Sequence, residues 1–208
     1  MKKSSSIKAL FIDIGGVLLN DGWGQVSRKL AAKTFSLNPE EMESRHNQAF
    51  DTYELGKLTI EEYLCQVVFY EKRPFTPAKF RKFMFAQSKP YPKMIEMIRK
   101  LKIRYGLKVA VVSNEARELN SYRIRKFKFS GFVDFFISSC FVHLRKPDVD
   151  IFRFALDIAQ VPANEVVYIE NLPMFVQVAE TLGIQGICHT DLKSTCAKLA
   201  SFGLEFVE

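Results

Sequence analysis

Short apolar runs bounded by turn residues recur along the chain, at 8–12, 108–112, 135–138, 165–169 and 185–188. They lack the apolar–polar alternation of a strand with one wet face, and so read as parallel strands buried on both sides. Helical periodicity fills most of the intervals, at 92–105, 115–127, 148–160, 173–182 and 192–202. Gly106, Gly131 and Gly183 stand where three of those helices should stop. This alternation predicts an α/β fold built on a doubly wound parallel sheet.

The interval between the first two strands departs from that rhythm. From Asn20 to about Lys89 only helical patterns occur. Asn38-Pro39-Glu40-Glu41 is a helix start with proline in the first turn, Thr59-Ile60-Glu61-Glu62 has capping-box spacing, and Thr76-Pro77 opens a third helix. The reading is a core of residues 1–19 and 88–208, with a helical cap of residues 20–87 inserted over the strand tips. Such a cap would shield a site from water.

Composition adds little to the fold but narrows the function. Apolar residues make up 48% and charged residues 25%, an ordinary balance for a soluble globular chain. The 19 phenylalanines predict a phenylalanine-rich interior. Met1-Lys2-Lys3 before an apolar run imitates a secretory leader, but Asp13 and Gly15-Gly16 interrupt the run, which reads instead as the first strand. No segment approaches the roughly 18 apolar residues of a membrane span. Cys65, Cys140, Cys188 and Cys196 have neither CxxC nor zinc spacing and read as reduced thiols of a cytoplasmic protein. The net charge of +7 comes without a base-reading motif, so no nucleic-acid partner is expected; it would instead attract phosphorylated metabolites.

The polar residues that carry chemistry sit at the ends of the apolar runs. IKALFIDIGGVLL, from Ile7 to Leu19, sets Asp13 at the tip of the first strand, ahead of two glycines that let a ligand approach the main chain. Ser113-Asn114 follows the second strand and opens the next helical pattern, where hydroxyl, amide and free N–H groups suit a phosphate. Lys146 precedes Pro147 and a helical pattern, placed to neutralise a carboxylate and a bound anion. Glu170-Asn171 ends a later strand.

This order resembles the haloacid dehalogenase superfamily of hydrolases over nearly the whole chain. Glu54-Leu55-Gly56-Lys57-Leu58-Thr59-Ile60-Glu61-Glu62-Tyr63 is similar to a stretch of the four-helix caps of its small phosphatase-like members. The resemblance implies that Asp13 is a nucleophile forming a covalent aspartyl intermediate, with Lys146 as its catalytic cation. It also implies that Ser113 and Asn114 hold substrate oxygens. Magnesium would bridge Asp13, the Gly15 carbonyl and the last motif, here Asn171, with Glu170 swinging in to supply charge.

Two departures weaken that site. Family phosphatases usually read D-x-D-G, and Gly15 stands where the second, proton-donating aspartate would be. That help is typically worth about 10²–10⁴-fold. The last motif carries neutral Asn171 and apolar Phe175 in place of its polar residues. The resulting expectation is a phosphatase acting slowly, with magnesium, on a small phosphorylated metabolite, and best on activated esters such as aryl phosphates. Two alternatives stay open: a pseudoenzyme that binds a phosphorylated ligand or protein partner, and a metal-free dehalogenase-type hydrolysis at carbon. Trp23, His46, Asn47 and Tyr53 are the cap residues expected to face the substrate.

Overall fold

The apolar runs become strands in a computed structural model of the chain, which describes residues 7–206. In chain order the elements are β1 (Ala9–Ile12), α1 (Gln25–Phe35), α2 (Pro39–Glu54), α3 (Ile60–Val67), α4 (Pro77–Ala86), α5 (Pro92–Tyr105), β2 (Lys108–Ser113), α6 (Arg117–Lys126) and β3 (Phe135–Ser138). They continue with α7 (Ser139–Val142), α8 (Asp150–Ala159), β4 (Val166–Glu170), α9 (Pro173–Glu180), β5 (Gln185–Cys188) and α10 (Leu192–Ser201). Residues Met1–Lys3 of the leader-like start lie outside the described residues. No described helix is long and apolar enough to cross a membrane.

The five strands form one parallel sheet in the order β3-β2-β1-β4-β5. β1 is central, and the chain crosses to β2 on one side of it and β4 on the other, so its tip faces the crevice where doubly wound sheets bind ligands. Both faces are covered, which is why the strands show no alternation. Leu10, Ile12, Val109, Val111, Val167 and Ile169 pack toward α5 and α10. Ala9, Phe11, Ala110, Val112, Val166 and Tyr168 pack against α8 and α9.

Helices α1–α4 pack as a unit around a second apolar cluster, to which Ala116 and Leu119 also contribute. The expected starts of α2, α3 and α4 are all present: Asn38, Thr59 and Thr76 each accept a backbone N–H through the side chain, and Thr59–Glu62 closes a full capping box. Each such cap stabilises its helix by about 1 kcal/mol. Much of the phenylalanine excess lies here, with Phe35, Phe69, Phe75, Phe80 and Phe83 meeting ring to ring. The chain leaves and re-enters the sheet layer side by side. Asn20 N donates to Lys89 O at 2.9 Å and Tyr91 N donates to Leu18 O at 2.9 Å.

Two local expectations fail. The helix after β2 starts at Arg117, not at Glu115, and Ser113 is the last residue of the strand. Ser113-Asn114 therefore has no helix N-terminus to lend to an anion. Nor does Pro147 start a helix; α8 begins at Asp150.

Candidate active site

Asp13, Ser113 and Glu170 come from the tips of three adjacent strands, and Lys146 reaches them from the loop after α7. Asp13 is 6% exposed, Lys146 1% and Glu170 0%. All three hydrogens of the Lys146 ammonium have acceptors: Asp13 Oδ1 at 2.7 Å, Glu170 Oε2 at 2.5 Å and Tyr168 Oη at 3.0 Å. The Tyr168 hydroxyl in turn donates to Glu170 Oε2 at 2.6 Å. Burial and the Glu170 charge push the Asp13 carboxyl up to about 7, against the opposing pull of Lys146. Burial would pull Lys146 down, but its two carboxylate neighbours hold it above the usual lysine range. With both acids ionised, Asp13, Lys146 and Glu170 carry one net negative charge.

Ser113 and Asn114 hold the protein's own groups. Ser113 Oγ accepts the Ile14 N–H at 3.4 Å, and the same hydroxyl helps to hold the Asp13 carboxyl down. Asn114 clasps the Lys146 backbone from both sides, donating Nδ2 to Lys146 O at 2.9 Å and accepting Lys146 N at Oδ1 at 2.8 Å. Both side chains thereby help set the positions of Asp13 and Lys146, and Asn114 also lines the cavity beside this cluster.

The expected magnesium ligands are engaged as well. Glu170 cannot swing: its Oε1 accepts the backbone N–H groups of Asn171 and Leu172 at 2.9 and 3.0 Å, while Oε2 is held as above. The side of the Asn171 amide nearest Gly15 O and Glu170 Oε1 faces acceptors only, so hydrogen bonding assigns the nitrogen rather than the oxygen to it, 2.8 and 2.9 Å away. Magnesium demands near-octahedral oxygen ligands. With Glu170 fully engaged and the Asn171 nitrogen turned toward Gly15 O, the Asp13 carboxylate is the one charged donor left open to it, and no described group of three or more His, Cys, Asp or Glu residues is arranged to hold a metal. The residues do not fit the ion. At Gly15 itself there is room: a Cβ would meet nothing nearer than Asp13 Oδ2 at 3.9 Å.

A cavity of about 550 Å³ separates this cluster from the helical unit, and Trp23, His46, Asn47 and Tyr53 all line it. Trp23 Nε1 donates to Tyr63 Oη at 2.9 Å, and the same hydroxyl hydrogen-bonds His46 Nδ1 at 2.8 Å. An indole is only a donor, so Tyr63 Oη is the acceptor in that bond, and its own hydrogen is free for His46 Nδ1. Burial and nearby Arg28 push His46 down to about 4, so it is neutral at physiological pH. Tyr53 stacks on Tyr63 with ring centroids 4.2 Å apart.

Four participants were not singled out from sequence. Tyr168 lies two residues before Glu170 on β4, on the same face of the strand; the only hint was one hydroxyl in the run Val166-Val167-Tyr168-Ile169. Arg145 ties the helical unit to the sheet layer, with Nη2 2.6 Å from Glu54 Oε2 and Nη1 2.8 Å from Asp51 Oδ1. A buried Arg123–Glu115 pair at 2.5 Å also lines the cavity.

Residues 7–183 match the family profile described as haloacid dehalogenase-like hydrolase. Over 82 residues, 39% of this chain, the sequence is 32% identical to bifunctional epoxide hydrolase 2 of Rattus norvegicus; the chain spans only 15% of that protein's length. Among solved structures, the fold is similar to a HAD family enzyme from Bacteroides thetaiotaomicron in complex with magnesium and inorganic phosphate. That likeness has a TM-score of 0.73 at 23% identity, over 87% of this chain and 93% of that one. It is also similar to L-2-haloacid dehalogenase from Xanthobacter autotrophicus with chloropropionic acid covalently bound, with a TM-score of 0.62 at 16% identity, over 94% and 83%. At such identities the likeness is one of fold.

Proposed function

Because this chain belongs to the haloacid dehalogenase-like hydrolase family, we propose that it hydrolyses a small phosphorylated metabolite through a covalent phosphoryl group on Asp13. The observation that carries this reading is the Asp13 carboxylate at the tip of β1, gripped on Oδ1 by Lys146 at 2.7 Å and lining the cavity. In the first step a carboxylate oxygen attacks phosphorus and the ester oxygen departs with its electron pair. Water then attacks the acyl phosphate, releasing inorganic phosphate and restoring Asp13. Lys146 fixes the nucleophile and offsets its charge, Ser113 orients it, and Asn114 sets the Lys146 backbone.

Three features make turnover slow. No side chain at Gly15 protonates the leaving group, a loss of about 10²–10⁴-fold for alkyl esters. The Lys146 hydrogens are all engaged within the protein. The cluster's net negative charge disfavours a phosphate dianion. Aryl phosphates, whose leaving groups need no proton, are the substrates expected to react. The test is hydrolysis of p-nitrophenyl phosphate by wild type and Asp13→Asn: activity should vanish in the variant, and unchanged turnover would remove Asp13 from the reaction.

One observation favours a second reading, a protein that binds the phosphorylated ligand without turnover: the Asn171 amide closes the family's metal position. A dehalogenase-type reaction finds less support. It needs a carboxylate near the last motif to activate water, and there the Phe175 ring lies 5.0 Å from Lys146 Nζ.

A further inference from the structure

We infer that Asn171 takes the place of the divalent cation, so that this site assembles without a metal. The inference goes beyond the proposed reaction and rests on how four groups meet. Assigned by its acceptor neighbours, the Asn171 amide nitrogen donates to Gly15 O and Glu170 Oε1, at 2.8 and 2.9 Å, and so ties the turn after β1 to the end of β4. Those are two of the elements that a bridging metal would join. A neutral N–H donor does this with directional hydrogen bonds, whereas a cation would require oxygens turned toward it.

The side chain is also wedged in place. Gly16 has φ +77°, and a Cβ there would lie 2.5 Å from Asn171 Cγ, so the amide packs directly on the Gly16 backbone. Turning the amide end for end would set its oxygen against Gly15 O and Glu170 Oε1, three acceptors with no donor among them. Glu170 cannot relieve this by moving, because its two oxygens together accept from Lys146, Tyr168 and two backbone N–H groups. Metal entry at Gly15 O therefore has to break an existing network. An aspartate at position 171 reverses the case: its carboxylate would face Gly15 O and Glu170 Oε1 with no hydrogen to offer, and a cation between them would relieve the repulsion.

The experiment is a titration of the full chain with Mn²⁺ alone, followed by loss of the free-ion electron paramagnetic resonance signal, on wild type and Asn171→Asp. No substrate is present, so the outcome is independent of whether Asp13 turns anything over. Wild type should leave the free signal undiminished, and Asn171→Asp should take up one ion per chain. Equal uptake by both proteins overturns the inference. So does absence of binding by both, since Asn171 is then not what excludes the ion. If Asn171→Asp does not fold, wild type decides alone: one bound Mn²⁺ refutes the inference and none supports it.

Discussion

Lys146 Nζ lies at least as close to Glu170, at 2.5 Å, as to Asp13, at 2.7 Å. The lysine therefore serves two buried carboxylates, and removing it strands both. Lys146→Ala should lower stability by about 3–5 kcal/mol near pH 8, read from urea unfolding. The double variant Lys146→Ala/Glu170→Gln, with one buried charge fewer, should recover a large part of that loss. A single variant as stable as wild type would show that the ion pairs do not hold the strand tips together.

The space at Gly15 permits a direct repair. A Cβ there clears every neighbour, and aspartate at position 15 would supply the missing proton donor. Combined with Asn171→Asp, the Gly15→Asp variant should hydrolyse p-nitrophenyl phosphate about tenfold faster or more, and only with magnesium present. A folded double variant no faster than wild type would mean that some other deficiency limits the reaction.

Glu54 gives the contact between helical unit and sheet layer a pH dependence. Burial pushes its carboxyl from 4.5 up to about 7 despite Arg145 2.6 Å away. A group whose pKa is raised in the fold contributes stability while protonated, fully present below pH 4.5 and lost as pH rises through about 7. Glu54→Gln is neutral throughout, so its melting temperature should gain on that of wild type by a few degrees between pH 5 and 8, at about 2–4 °C per kcal/mol. A constant offset across that range would place the titration elsewhere.

The Trp23–Tyr63–His46 relay is open to a single-atom test. Tyr63→Phe leaves the indole N–H without its acceptor and His46 Nδ1 without its donor. The expected cost is about 1–3 kcal/mol. In ¹⁵N spectra, His46 should change from one fixed Nε2–H tautomer to a mixture. An unaltered tautomer would show that Tyr63 does not set it.

What the sequence disclosed follows from how local each cause is. The strands were legible because burial on both faces leaves an unbroken apolar run, and α2, α3 and α4 because Asn38, Thr59 and Thr76 carry their caps within four residues. The gathering of Asp13, Ser113, Lys146 and Glu170 was legible as polar residues at strand ends. Their partners were not. Whether Ser113 faces a substrate or Asp13, and whether Asn114 faces a ligand or the Lys146 backbone, depends on groups about 30 to 100 positions away in the chain. Tyr168 stayed hidden because a tyrosine in a buried strand reads as packing. The Asn171–Gly15 bond was beyond reach because it depends on which end of an amide points inward.

The paired crossing at Leu18–Asn20 and Lys89–Tyr91 has a consequence for how such a protein diversifies. Because the two ends of the excursion are already one hydrogen bond apart, lengthening or replacing it changes loop-closure entropy only logarithmically and leaves the strand register alone. The helical unit over the cavity can therefore be exchanged wholesale while Asp13, Lys146 and Glu170 keep their positions.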